Sequence, residues 1–301
     1  MNKTRVLITG ASGFIGSPLV KKLLDNNFEV LAISRNKPED NYSNRDVWYE
    51  ADINKLDSYK TCIEEFQPQV VIHLAWQDIP NYSFEISLLN LKNTLEFLSF
   101  VSDIASCKKI LISGSCWEFN KRQGECIESL IGEPKDHFTW AKHSIRTWLE
   151  IVCKQKQITL AWIRIFYVYG PRQRRGSLIP TLINHLSQKE LPPIKTPNDA
   201  CDFIYIDDVV DGFYQATNKN IHSGNFNLGS GFSIKVLEVS RHIENLLYGK
   251  EVITQKIKEQ STGIESSMNF WAGINKTKET LNWKPMITIE DGIKNCISYD
   301  E

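Results

Sequence analysis

Residues 6–20 read VLITGASGFIGSPLV: an apolar strand of Val6, Leu7 and Ile8 runs into Gly10, Gly13 and Gly16, then into a helix reaching about Asn26. Leu19, Val20, Leu23 and Leu24 recur along one face of that helix, and a second apolar run, EVLAIS at 29–34, follows. Strand, glycine turn and helix in this order make a dinucleotide site. A pyrophosphate must approach bare backbone at the positive end of a helix, and any Cβ would block it. Gly10 supplies the tight turn, Gly13 the close contact with phosphate, and Gly16 the room for helix to lie on strand, while Thr9 and Ser12 add hydroxyl donors.

Working outward, VWYEADI (47–53), VVIHLAW (70–76), KILISGS (109–115) and TLAWIRIF (159–166) alternate with helical stretches near 17–26, 55–66, 84–105 and 137–154. This alternation predicts an α/β protein with a parallel sheet and ligands at the carboxyl ends of its strands. Past Gly170 the pattern is broken by Pro171, Pro180, Pro192, Pro193 and Pro197. Residues 1–170 are therefore expected to form the dinucleotide-binding domain, and 171–301 mainly a smaller, irregular C-terminal lobe for substrate. The segment DFIYIDDVVDGFYQAT (202–217) predicts one return to the sheet, as a short strand followed by a helix.

The chain has 301 residues, 42% of them hydrophobic, enough to bury one large core. Its 35 lysines and arginines nearly cancel its 36 acidic residues, so no global field draws it to nucleic acid or an anionic membrane. Cys62, Cys107, Cys116, Cys126, Cys153, Cys201 and Cys296 are odd in number and form no CxxC pair. That usage fits a reducing compartment and argues against a disulfide frame or a zinc site. MNKTR leads straight into the first strand and no apolar run reaches membrane-spanning length, so a cytoplasmic protein is expected.

Beyond the opening TGASGFIG, the chain carries ADI (51–53), HLAW (73–76), ISGSCWEF (112–119), Lys142, RIFYVYGP (164–171), DFIYIDD (202–208) and LNWKP (281–285). With these motifs it resembles the extended short-chain dehydrogenase/reductases, and within them the nucleotide-sugar epimerases, dehydratases and 4-keto reductases. The resemblance implies a Rossmann-type doubly wound parallel sheet. It implies that Gly10, Ser12, Gly13, Phe14, Ile15 and Gly16 hold the pyrophosphate, that Asp52 and Ile53 bracket the adenine, and that Leu74, Ala75 and Trp76 line the nicotinamide side. The plainer readings are a loop carboxylate capping the next helix for Asp52 and a core aromatic for Trp76. At the end of the second strand, an acid would accept bonds from the ribose hydroxyls and repel a 2′-phosphate. Ser34 and Arg35 stand there instead and can bind a phosphate, so NADP(H) is favoured over NAD(H).

Members of this family transfer hydride with a Ser or Thr at a strand end and a Tyr placed four residues before a Lys on the next helix. The resemblance makes Ser115 the family serine and Lys142 the lysine at the nicotinamide ribose, but Phe138 occupies the tyrosine position. Three accounts are open. Phe138 is an engineered substitution that traps substrate, or the protein protonates through Ser115, Cys116 or a water, or it binds nucleotide without turnover. Cys116 and Trp117 replace the acidic pair of the dehydratases, which disfavours dehydration, and Cys116 reads more as packing than as an acid. The resemblance also makes Ser115, Cys116, Trp117 and Tyr167 candidate contacts to the sugar nucleotide. Arg172, Arg174 and Arg175 offer cations for its diphosphate, although Tyr167 and Cys201 depart from the Asn and Arg that many relatives carry.

The expected activity is NADP(H)-dependent reduction of a 4-keto, 6-deoxy nucleotide sugar for surface polysaccharide. The alternatives are a C4 epimerase or dehydrogenase, and a catalytically silent NADP or sugar-nucleotide binder. The helices near 84–105 and 137–154 are candidates for a homodimer bundle or for simple covers of the sheet.

Overall fold

The computed structural model describes residues 3–36, 47–120, 122–260, 263 and 265–300. From the N-terminus it runs β1 (Arg5–Thr9), α1 (Gly16–Asp25), β2 (Glu29–Ser34), β3 (Trp48–Glu50), α2 (Lys60–Phe66), β4 (Val70–His73), α3 (Phe84–Asp103), β5 (Lys109–Ser115), β6 (Gln123–Cys126), α4 (His137–Lys156) and β7 (Thr159–Ile165). It continues through β8 (Tyr167–Tyr169), α5 (Leu178–Ser187), β9 (Ala200–Cys201), β10 (Phe203–Tyr205), α6 (Ile206–Asn218), β11 (Gly224–Leu228), β12 (Ile234–Lys235), α7 (Val236–Tyr248), α8 (Ile253–Gln260), β13 (Asn269–Ala272), α9 (Asn275–Leu281) and α10 (Ile289–Asp300).

Seven strands form the main sheet in the order β3-β2-β1-β4-β5-β7-β11, every neighbouring pair parallel. Side chains alternate across it. Val6, Ile8, Val30, Ala32, Val70 and Ile72 pack in one core with Leu19 and Leu23 of α1 and Val209 and Phe213 of α6. Leu7, Leu31, Ile33 and Val71 point the other way, into a second core with Ile63 of α2, Phe97 and Leu98 of α3, and Ile145 and Leu149 of α4. Because both faces are covered, the strands read as continuous apolar runs rather than as alternating ones. Each fully buried Leu, Ile or Phe stabilises the fold by roughly 1.5–3 kcal/mol.

Strand order reverses between β1 and β4, and a crevice opens there at the carboxyl ends. The start of α4 is fixed by Asp136, whose carboxylate accepts from Thr139 N at 2.7 Å. Such a cap is worth about 1 kcal/mol and sets where the helix delivers Phe138 and Lys142.

The return to the sheet differs from expectation. The segment 202–217 does form α6 against the sheet, but its strand β10 pairs with β8 in a separate two-stranded sheet. The strand that joins β7 is β11, GNFNL, which its polar residues hid from a reading of apolar runs. Asn227 is buried there because its amide donates to Cys126 O at 2.7 Å and Gly273 O at 3.0 Å. The lobe has its own sheet, β12-β9-β13-β6, and β6 comes to it from ahead of α4. Asp202 sits under that sheet, accepting from Ser230 N, Gly231 N and Ala272 N, a structural role. Among the described residues, no helix is long and apolar enough to cross a membrane and no cluster of side chains could hold a metal ion. No disulfide joins any two of the seven cysteines.

Candidate active site

The turn after β1 is shaped by what a side chain would strike. Gly10 has φ +69°, and a Cβ on it would lie 2.7 Å from Ala75 N; one on Gly16 would lie 2.3 Å from Gly10 O. Those contacts let α1 close on β1. A Cβ on Gly13 would meet only Gly10 O, at 3.1 Å, so its outer side is bare backbone at the start of α1.

Two cavities share Gly10, Gly13, Leu74 and Trp76 and so make one groove across the switch point. The first, about 180 Å³, is bounded by Ser12, Ser34, Arg35, Ala51, Ile53 and Ala75 among others. The second, about 450 Å³, extends over Ser115, Trp117, Phe138 and Lys142, with Phe14, Ile15 and Gly16 at its near wall. The groove therefore runs from Arg35 past the bare glycine turn to Lys142. Trp76 Nε1, buried without a hydrogen-bond partner, is a donor waiting for one. Asp52 does not border the groove; its carboxylate accepts from Asn54 N at 3.0 Å, the turn-capping role. Ser34 donates to Asn36 O at 2.7 Å, and Arg35 is exposed at the rim.

At the far end, Lys142 Nζ donates to Ser113 O at 2.8 Å and lies 4.2 Å over the Trp76 ring. Burial pushes this lysine down to about 8, with Glu118 pulling the other way. Ser115 ends β5. Its N–H donates to Glu118 Oε1 at 2.7 Å and its hydroxyl accepts from Trp117 N at 3.1 Å. Glu118 is itself buried, accepting from Trp162 Nε1 and paired with Arg164, so the serine rests on a fixed carboxylate. Beneath the glycine turn His73 shares hydrogen bonds with Thr9 at 2.7 Å and Thr94 at 3.2 Å. Burial first, then Lys142, holds it down to about 3.

Phe138 lies one turn before Lys142, 7% exposed, with Trp76 edge-on at 5.1 Å. The position is aromatic and in the site, and has no hydroxyl. Several other expectations need correcting. Cys116 is 3% exposed and borders none of these cavities; burial pushes its thiol well above the usual range, so it packs rather than binds substrate. Tyr167 is turned into the lobe between Phe203 and Phe270, and its neighbours Ile165, Phe166 and Val168 border the groove instead. The arginines do not share one cavity: Arg174 borders the large one, Arg172 an adjoining one of about 230 Å³ that shares Gly13 and Phe14 with it, and Arg175 neither.

Two residues escaped the sequence reading. Gln173 donates from Nε2 to Val168 O at 2.9 Å and leaves Oε1 buried and unpaired at the large cavity, an acceptor for a ligand hydroxyl. It lies between Arg172 and Arg174, masked by the charges around it. Tyr82, from the loop before α3, packs its ring at a tilt 4.9 Å from Phe138 and 5.6 Å from Trp117. Nothing local in the sequence links that loop to α4.

Sheet order, bare glycine turn and a groove ending at a buried lysine define a dinucleotide-binding α/β protein of the Rossmann type. More particularly, the chain belongs to the NAD dependent epimerase/dehydratase family, whose model matches residues 6–229. This is the extended short-chain dehydrogenase/reductase group of nucleotide-sugar epimerases, dehydratases and reductases. The chain is similar to the UDP-glucuronate 4-epimerase of Thermodesulfobacterium geofontis, at 26% identity over 98% of this chain and 95% of that one. It is equally similar, at 26%, to the dTDP-4-dehydro-6-deoxyglucose reductase of Escherichia coli, over 98% and 97%. The UDP-glucose 4-epimerase of Thermotoga maritima, solved with UDP-glucose, shares the fold with a TM-score of 0.84 at 23% identity, over 99% and 98% of the two chains.

Proposed function

We propose that this protein reduces the 4-keto group of a 6-deoxy nucleotide-diphosphate sugar with NADPH, in the making of a surface polysaccharide. The observation that carries the reading is that Ser115 and Lys142 flank one cavity of about 450 Å³ continuous with the glycine groove. When bound there, the nicotinamide supplies a hydride. Lys142, mostly protonated at neutral pH, holds the ribose hydroxyls, and Ser115, fixed by Glu118, holds the sugar oxygen. Gln173 and Arg174 meet the sugar nucleotide beyond them. Cys116 is buried and Trp117 carries no acid, so the pair that dehydration needs is missing, which supports simple reduction. The family description names NAD; the preference for NADPH rests on Ser34 and Arg35 at the adenosine end.

A C4 epimerase is the second reading, supported by the Thermodesulfobacterium relative. Incubation with 4-keto and 4-hydroxy nucleotide sugars separates the two. Loss of NADPH with a 4-hydroxy product supports the reductase, and interconversion without net cofactor use supports the epimerase. Tight binding without turnover leaves a silent binder. We also read a homodimer from α3 and α4. Phe84 stacks on Trp140 at 6.3 Å, and with Leu88 and Ile151 these exposed side chains make an apolar face across the helix pair. Sedimentation of Trp140→Asp as a monomer beside a dimeric parent tests it.

A further inference from the structure

A keto reduction needs a proton as well as a hydride, and Phe138 has none to give. The other groups near it are poorly suited. Cys116 is shut away from the cavity, Tyr167 is turned into the lobe, and Lys142 is engaged with Ser113 O. One phenol remains. Tyr82 borders the same cavity as Ser115 and Lys142, its ring tilted 53° to Phe138 at 4.9 Å. Its hydroxyl is paired with no described residue. Tyr82 is half-buried, so its hydroxyl at the cavity wall is open to water or to a ligand. The loop that carries it is fixed on both sides: Ser83 N donates to Asn81 Oδ1 at 3.1 Å, and Ser83 Oγ caps α3 by accepting from Ile86 N at 3.4 Å. Burial raises the pKa of this phenol above the ordinary tyrosine value, Arg174 pulls the other way, and Cys116 and Asp136 add to the rise, so it carries its proton at neutral pH.

We propose that Tyr82 has taken over the proton donation that position 138 lost, delivering it from the α3 loop instead of from α4. The inference rests on the reductase reading above. A bound reduced nicotinamide would supply the hydride for the C4–H bond of the sugar, and the carbonyl π pair would move to oxygen. Tyr82 O–H breaks and its proton goes to that oxygen. The tyrosinate recovers a proton from water, so one ketone, one NADPH and one proton give one alcohol and one NADP⁺.

The test follows NADPH oxidation by the full chain with dTDP-4-keto-6-deoxyglucose and UDP-4-keto-6-deoxyglucose as probes. Tyr82→Phe is expected to lower kcat by about 10²–10⁴-fold, while KM and calorimetric binding of the same probes stay within about threefold. In the Tyr82→Phe background, adding Phe138→Tyr is expected to restore at least about tenfold of the loss, because a phenol returns beside Lys142. A ring that only packs would show no such rescue. The inference is overturned if Tyr82→Phe keeps the native kcat, if its loss is accompanied by weakened binding, or if Phe138→Tyr restores nothing. Absence of turnover by the native protein with either probe overturns the reductase reading along with it, whereas turnover indifferent to Tyr82 overturns this inference alone.

Discussion

Replacing Lys142 by Met separates what the buried ammonium does to the fold from what it does for the site. The side chain is 4% exposed and burial moves its pKa from 10.5 to about 8. At 1.36 kcal/mol per unit, holding it charged at pH 7 costs the fold about 3 kcal/mol. Methionine keeps the apolar stem but gives up the bond to Ser113 O and the contact with the Trp76 face, together roughly 1–2 kcal/mol. The expected balance at pH 7 is a variant more stable by about 1–2 kcal/mol. The pH dependence carries a sign as well. Lys142 has a folded pKa below its unfolded one, so between about 8 and 10.5 the unfolded chain binds more protons and native stability rises with pH. Below pH 8 both states are protonated and the full cost is present. Urea unfolding at pH 7 and pH 9.5 should show that rise in the parent and not in Lys142→Met, while nucleotide binding by the variant weakens roughly 10–100-fold for the lost charge-assisted bonds. A methionine variant less stable than its parent at pH 7, with an undiminished rise towards pH 9.5, would refute the reasoning.

Gly16→Ala places a Cβ 2.3 Å from Gly10 O and 2.8 Å from Ala11 Cα, both backbone, so it should destabilise by about 1–3 kcal/mol in thermal melts and weaken dinucleotide binding more than any surface change. His73, held down to about 3 from 6.5, binds a proton only when unfolded between those values. Stability should therefore fall as pH drops below 6.5, by at most about 1.4 kcal/mol per unit from this group, and the slope between pH 6.5 and 5 should be shallower in His73→Asn. Arg35→Glu should move the ratio of kcat/KM for NADPH over NADH towards NADH by at least about tenfold, and an unchanged ratio would remove Arg35 from the 2′-phosphate.

The sheet and its switch point were legible because burial on both faces leaves strands of unbroken apolar residues, and because the glycines must be bare for reasons a sequence displays. Lys142, Ser115 and Phe138 were legible only through the family resemblance, and the structure brings all three to one cavity. What escaped depends on contacts between distant segments. Strand β11 is polar in sequence since Asn227 satisfies carbonyls of β6 and of the loop after β13. Cys116 and Tyr167 sit beside motif residues, yet a turn after β5 and the pairing of β8 with β10 direct both away from the groove. Tyr82 meets Phe138 only because the loop before α3 folds over the start of α4.

The central claim is that a hydride passes from a nicotinamide to a sugar carbon in the cleft between Ser115 and Lys142. Its most direct measurement is mass spectrometry of the sugar nucleotide after incubation with NADPH deuterated at the transferable position. The account requires one deuterium at C4 of a newly formed 4-hydroxy sugar for each NADPH oxidised. Unlabelled sugar recovered unchanged, from the native protein and from Phe138→Tyr alike, would contradict it.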